Sequence, residues 1–187
     1  MAIPKDTLDT LYPIAEAQAG YFTTRQAEAA GIHRVRLARY AQSGRIQRVR
    51  RGVYRLTHFP RSRYEDLFIA WLEAGPDAAI SHDSALLLYE LSDALPAAIH
   101  LTAPRTASRR RPGLHLHTNQ ISPAEVVNFE GLPVTSVART LVDVAVAGLS
   151  DELVEQAVLE AIDRGLVQPE AVRRAAERRG ARVMELI

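Results

Sequence analysis

Cysteine is absent from the 187 residues, and lysine occurs once, at Lys5. The first absence excludes disulfides and thiolate metal sites. The second leaves arginine as nearly the whole basic complement, a choice that a GC-rich genome explains as well as arginine-specific chemistry does. No stretch approaches the roughly 18–20 uninterrupted apolar residues of a membrane span. The opening run MAIPKDTLDTLYPIAEAQAG has helical periodicity and acidic residues where a secretory signal has a basic start and an apolar core. With nothing pointing to secretion, the expected compartment is the cytoplasm. No repeat of fixed period and no low-complexity tract occurs. GLPVTS and VAVAG lack the glycine spacing of phosphate-cradling loops, so a nucleotide site has no support.

What is present is a separation of charge. Residues 1–63 carry twelve Lys+Arg against four Asp+Glu, a formal +8. Eleven of the twelve are arginines between Arg25 and Arg63, where only Glu28 opposes them. Residues 64–187 carry eleven against eighteen, a formal −7, so the overall +1 hides a basic head on an acidic body. A small basic domain that neutralises several phosphates gains affinity by releasing counterions from a nucleic acid. The acidic remainder suits a protein partner better. The length admits one domain or two small ones, and the composition, 47% apolar and 24% charged, is that of an ordinary globular chain.

The head has the order of a winged helix. Over residues 7–19, Leu8, Leu11, Tyr12 and Ala15 form one apolar helix face, closed by Gly20. Thr23 and Gln26 have capping-box spacing, and the short helix Thr24–Ala30 ends at Gly31. HRVRLARYAQSG follows as a third helix, with Ile32, Leu37, Tyr40 and Ala41 inward. Two short helices joined by a glycine turn are a helix-turn-helix, whose second helix enters the major groove by its N-terminal end. There the outward residues are His33, Arg34, Val35, Arg36 and Arg39. Arginine donates two hydrogen bonds to guanine, and valine can meet a thymine methyl. RIQRVRRGVYRL then alternates, with Ile46, Val49 and Val53 inward around a turn at Arg51-Gly52, which reads as a wing. Arg48, Arg50, Arg51 and Arg55 are its expected phosphate or minor-groove contacts. Thr23, Thr24 and Arg25, at the start of the preceding helix, complete the candidate DNA-binding set.

From Tyr64 the chain reads as a separate body, giving domains of 1–60 and 61–187. YEDLFIAWLEAG places Leu67, Ala70, Trp71 and Ala74 on one helix face, stopped by Gly75-Pro76. ISHDSALLLYELSD is a second helix. Short strands are expected at Ala98–Thr102 and Leu114–Thr118, Val134–Ser136 is a further strand or an entry segment before a helix, and helices are expected over SVARTLVDVAVAG, DELVEQAVLEAIDRG and PEAVRRAAERRG. The fold class is α+β: an N-terminal winged helix-turn-helix followed by a mixed α/β, helix-rich C-terminal domain. The basic loop holding Arg109, Arg110 and Arg111 reads as a solvated tip, with an added phosphate contact as the alternative. The helix arginines 173, 174, 178, 179 and 182 read as solvent-facing charge, with a partner surface or another nucleic-acid contact as alternatives.

Catalytic chemistry is not expected. Ser81, His82 and Asp83 include the residue types of a hydrolase triad, but consecutive residues cannot converge as its relay requires. His115 and His117 share one face of a strand, a geometry able to hold a metal if His82 or His100 added a ligand. No carboxylate is placed with them by spacing, and the expectation is ordinary strand histidines, with no metal and no cofactor.

The runs GYFTTRQAEAAGI, RIQRVRRGVYRL, ISHDSALLLYEL and GLPVTSVARTLVDVA, in that order from about Gly20 to Gly165, resemble the AbiEi-type antitoxins of type IV toxin–antitoxin and abortive-infection systems. His33 departs from the family, which often has a small N-capping residue such as Ser there. The resemblance implies a bacterial autorepressor that binds inverted repeats of operator DNA in its own promoter. It also implies a nucleotidyltransferase-like toxin as functional partner, countered without a required stable complex. Some members carry a nuclease-like extension, but such nucleases need a lysine beside paired carboxylates, and Lys5 is far from any such pair. The chain is therefore expected not to be an enzyme. A stand-alone regulator with a ligand-sensing body, or a fragment of a nuclease-fused protein, is the alternative.

Overall fold

The structure is a computed structural model that describes residues 7–92, 96–104 and 112–178. The chain divides into two compact units, Met1–Pro76 with Glu130–Leu132, and Asp77–Phe129 with Pro133–Ile187. Among the described residues, no helix is long and apolar enough to cross a membrane. Lys5, Arg109, Arg110, Arg111, Arg179 and Arg182 lie outside the described residues.

The first unit opens with a 3-10 turn, Thr7–Thr10, and helix α1, Tyr12–Glu16. The single helix expected over 7–19 is thus divided. Pro13 has no N–H to donate to the carbonyl four residues back, so the chain ahead of it closes a tighter turn, with Leu11 N donating to Leu8 O. Leu8, Leu11 and Ala15 are nonetheless buried together, whereas Tyr12, expected on the same face, is exposed. Gly20 then takes φ +88, and a Cβ there would stand 2.5 Å from Cβ of Phe59, so both conformation and space require glycine.

Strand β1 (Tyr21–Thr23), which sequence spacing did not reveal, precedes α2 (Thr24–Ala29) and α3 (Arg34–Gln42). Strands β2 (Ile46–Arg50) and β3 (Val53–Leu56) form the hairpin. The antiparallel sheet has the order β1-β3-β2. Register slips between Arg48 and Arg50, so Val49 occupies a bulge rather than a regular inward position. Phe22, Ala27, Ile32, Leu37, Ile46 and Leu56 close one core under these elements.

Helix α4 (Glu65–Ala74) belongs to this unit, which runs on to Pro76 where a boundary at residue 60 was expected. Its Phe68 ring stacks on Tyr21 with centroids 5.5 Å apart. The buried residues are Phe68, Ile69 and Ala70, while Leu67, Trp71 and Ala74 are half-buried. The single-stripe reading of this helix is corrected accordingly.

The second unit holds β4 (Ala79–Ile80), α5 (His82–Leu88), β5 (Ile99–Ala103) and β6 (Leu114–Thr118). Next come β7 (Val126–Phe129), β8 (Leu132–Thr135), α6 (Val137–Ala147), α7 (Asp151–Asp163) and α8 (Pro169–Glu177). The sheet order is β6-β5-β4-β8-β7. β4 runs antiparallel to β5, while β5–β6 and β4–β8 are parallel. Strand β6 has the expected bounds. Val134 and Thr135 lie on β8, and Ser136 enters the helix, capping α6 by accepting from Arg139 N. Leu86, Leu141, Val142, Val154, Val158 and Val172 join helices α5 to α8 in one core.

A charged pair sits at the edge of that core. Arg139, 3% exposed, donates through Nε to both carboxylate oxygens of Asp143 at 2.8 Å. Its Nη1 reaches Glu125 Oε1 at 3.1 Å. Burial pushes the Glu125 carboxyl up, but hydrogen bonds from Ser122 and the charge of Arg139 outweigh it and hold the group below its ordinary value. Asp143→Ala removes the two-oxygen partner of the buried guanidinium, leaving it Glu125 and the Gln120 carbonyl, and should destabilise the protein by about 1–3 kcal/mol in urea unfolding. Replacing both residues together with Met and Leu should recover most of that loss. An Asp143→Ala cost below about 1 kcal/mol would show that the pair already exchanges with water.

Candidate nucleic-acid interface

The basic surface is built outward from a cap. Thr23, in extended conformation at the N-cap of α2, accepts from Gln26 N at 3.1 Å, and its own N donates to Gln26 Oε1 at 2.8 Å. The capping box read from the sequence is formed, so the Thr23 hydroxyl is committed to the helix start. Thr24 N donates to Gly52 O at 2.9 Å, which pins the hairpin turn to the first residue of α2. The Thr24 hydroxyl points to the same carbonyl at 3.4 Å. Arg25, one residue on, is exposed.

Helix α3 begins after His33, an N-cap residue at φ −70 and ψ 159 whose side chain makes no capping hydrogen bond. The imidazole is left exposed at the helix start. Leu37 and Ile32 turn inward, while Arg34, Val35, Arg36 and Arg39 are exposed. Val35 is 70% exposed, the largest exposure among the large apolar residues described. Nothing in the packing of the head accounts for an apolar side chain there. Arg34 is paired with Glu28 at 2.9 Å, but the two side chains are 82% and 39% exposed. Such a surface pair is worth about 0–1 kcal/mol and yields readily to a phosphate.

In the hairpin, Arg48, Arg50 and Arg51 are exposed. Arg50 Nη1 lies 3.8 Å from Glu73 of α4, a loose pair at the sheet edge. Arg55 is the correction. It was read as a backbone contact, yet it is 6% exposed, with Nη1 donating to Phe59 O and Nη2 to Gln47 Oε1. On β3, the central strand of the sheet, alternation turns residue 55 toward the chain returning past Phe59, and the guanidinium satisfies that carbonyl. Arg45, which the motif reading passed over, is exposed, and its guanidinium lies 5.0 Å from the Tyr40 ring centroid. Its position in the same basic run was the available signal.

Elsewhere, Arg173 and Arg174 of α8 and the C-cap residue Arg178 are exposed. Ser81, His82 and Asp83 do not form a relay. Ser81 Oγ lies 2.9 Å from His82 Nδ1, but Asp83 Oδ2 faces His100 Nδ1, at 3.4 Å. Burial, aided by the neighbouring imidazoles, lowers the His82 pKa to about 3, far from the value a general base needs near neutrality. Strands β5 and β6 bring His100 to His115 and His117, a grouping that spacing along one strand could only half supply.

Comparison with known families covers both units. Residues 9–57 match the family model described as transcriptional regulator, AbiEi antitoxin. Residues 78–186 match the one described as AbiEi antitoxin C-terminal domain. No significant match among curated proteins was found.

The placement of Arg55 generates a stability prediction. Arg55→Ala leaves the Phe59 carbonyl without its donor and should cost about 1–3 kcal/mol in urea unfolding. Arg48→Ala, on the exposed strand beside it, should stay within about 0.5 kcal/mol of the parent. Equal midpoints for the two variants would contradict the structural role given to Arg55.

Proposed function

The chain belongs to the AbiEi antitoxin family, and we propose that its winged helix binds operator DNA in its own promoter and represses the operon. One observation carries this reading: the first turns of α3 turn Arg34, Val35, Arg36 and Arg39 to solvent, beside a hairpin that adds Arg48 and Arg51. A valine left bare among arginines fits a base-pair edge with a thymine methyl better than it fits water. Arg36 and Arg39, three residues apart on α3, project to one side and are assigned to the major groove. Arg25, Arg48, Arg50 and Arg51 are assigned to phosphates, which fix register without reading sequence. His33 stands at the helix N-terminus, where phosphate approaches in many complexes. Thr23 and Thr24 support the helix start, and Arg55 is assigned no contact.

The inverted repeat and the nucleotidyltransferase-like toxin rest on the family membership alone. The toxin is opposed through the second unit or through repression, with no enzymatic activity of this chain required. The cytoplasm is the compartment in which both targets would be met.

The test is binding to the chain's own upstream DNA and to a scrambled fragment across a salt series. Sequence-selective binding with a steep salt dependence is expected. Arg36→Ala should lose about 1–3 kcal/mol on the operator and little on the scrambled fragment. An equal loss on both would remove Arg36 from base reading. Arg51→Ala should weaken both fragments alike and flatten the log–log salt slope by about one unit. An unchanged slope would take the wing out of the phosphate count, and weak, equal binding of the parent protein to both fragments would overturn the repressor reading.

A further inference from the structure

Four of the six histidines of the chain meet in the second unit, although they come from three separate segments. His100 lies on β5, and His115 and His117 on β6, which pairs with it in parallel. His115 is the direct partner of His100, and His117 lies two residues on, so all three side chains share one face of the sheet. Each offers a ring nitrogen, and the three nitrogens lie within 4.8 Å of one another. His100 Nδ1 and His117 Nε2 face each other at 3.1 Å. His82, at the start of α5, stacks on His117 with centroids 3.5 Å apart and planes 8° from parallel. It holds φ +51, a left-handed conformation that costs a non-glycine residue about 1 kcal/mol or more.

We propose that His100, His115 and His117 bind a divalent transition-metal ion, zinc being the best match to three imidazoles. In a tetrahedral site with Zn–N bonds of about 2.0–2.1 Å, ligand nitrogens stand roughly 3.3 Å apart. The 3.1 Å separation of His100 and His117 is already close to that edge. His115 is exposed, so its ring can swing to close the third edge and leaves an entry path for the ion. The carboxylate of Asp83 lies 3.4 Å from the same His100 Nδ1. It also offsets the partial positive charge that the N-terminus of α5 brings nearby.

The competing account is a packed stack of neutral rings. That account leaves the facing nitrogens of His100 and His117 sharing a single proton in one hydrogen bond. Since β6 ends the sheet, the ion would clamp an edge strand to β5.

The experiment uses the full chain without an affinity tag, stripped with chelator and titrated with Co2+ and then Zn2+. A single ion per chain is expected, with the visible absorption of tetrahedral Co2+, its displacement by Zn2+, and a rise in Tm with Zn2+. His115→Ala, at an exposed position, should weaken binding by at least about tenfold and abolish the Tm rise while leaving the metal-free Tm unchanged. His117→Gln should do the same if it folds. The double variant His33→Ala/His58→Ala should bind as the parent does. Absence of binding, octahedral Co2+ spectra, or affinity that survives His115→Ala or falls in the double variant would each overturn the proposal.

Discussion

Repulsion among arginines is the condition under which the first unit folds. Eleven of them between Arg25 and Arg63 share that stretch with a single acidic residue, and the core available to offset them is small. Screening by salt weakens each pair beyond roughly 8–10 Å but leaves near neighbours in conflict. The fold answers by assigning arginine to positions the core does not use. Leu37, Ile46, Val53 and Leu56 turn in, and the arginines around them turn out. Arg55 alone is enclosed, and it is satisfied by Phe59 O and Gln47. Under the proposed function, a phosphate backbone laid against such a surface relieves the repulsion at the moment it binds, so the crowding that burdens folding favours association.

Much of this head was legible in the sequence because its signals are local. Thr23 and Gln26 are three residues apart, Gly31 follows its helix directly, and Arg51-Gly52 sits inside its own hairpin. What was not legible depends on partners distant along the chain. Strand β1 has three residues and becomes a strand only because β3 lies beside it. Helix α4 joins the first unit through a ring stacked on Tyr21, more than forty residues earlier. Arg55 looks like its neighbours until the carbonyl of Phe59 closes over it. Pro13 was an available signal that the helical spacing of Leu8, Leu11 and Ala15 obscured.

The second unit shows the same division. Strand β6 was read to the residue from its alternation, whereas β4, two residues long, carries no periodicity to read. Arg139 and Asp143 are four apart on α6 and look like an ordinary surface pair. Their burial follows from Glu125 and Gln120 approaching from the segment ahead of β7. The histidines are the sharpest case. Spacing put His115 and His117 on one face, but only the parallel register of β5 and β6 sets His100 opposite them. Side-chain chemistry can be read from one strand; a ligand set needs two.

Magnitudes also bear on how an operator would be read. Helix α3 spans nine residues and presents two arginines on the side assigned to bases. At about 1–3 kcal/mol of discrimination for each bidentate contact, one head supplies roughly 2–6 kcal/mol. Specific complexes are typically separated from nonspecific ones by about 4–10 kcal/mol. A single head therefore falls at or below the lower half of that range, and more phosphate contacts do not help, because they strengthen both kinds of complex alike. Two heads on two copies of the same half-site double the discrimination without changing a residue. Under the proposed function, the shortness of the recognition helix thus favours an operator with more than one half-site, while the inverted arrangement of those half-sites rests on the family membership.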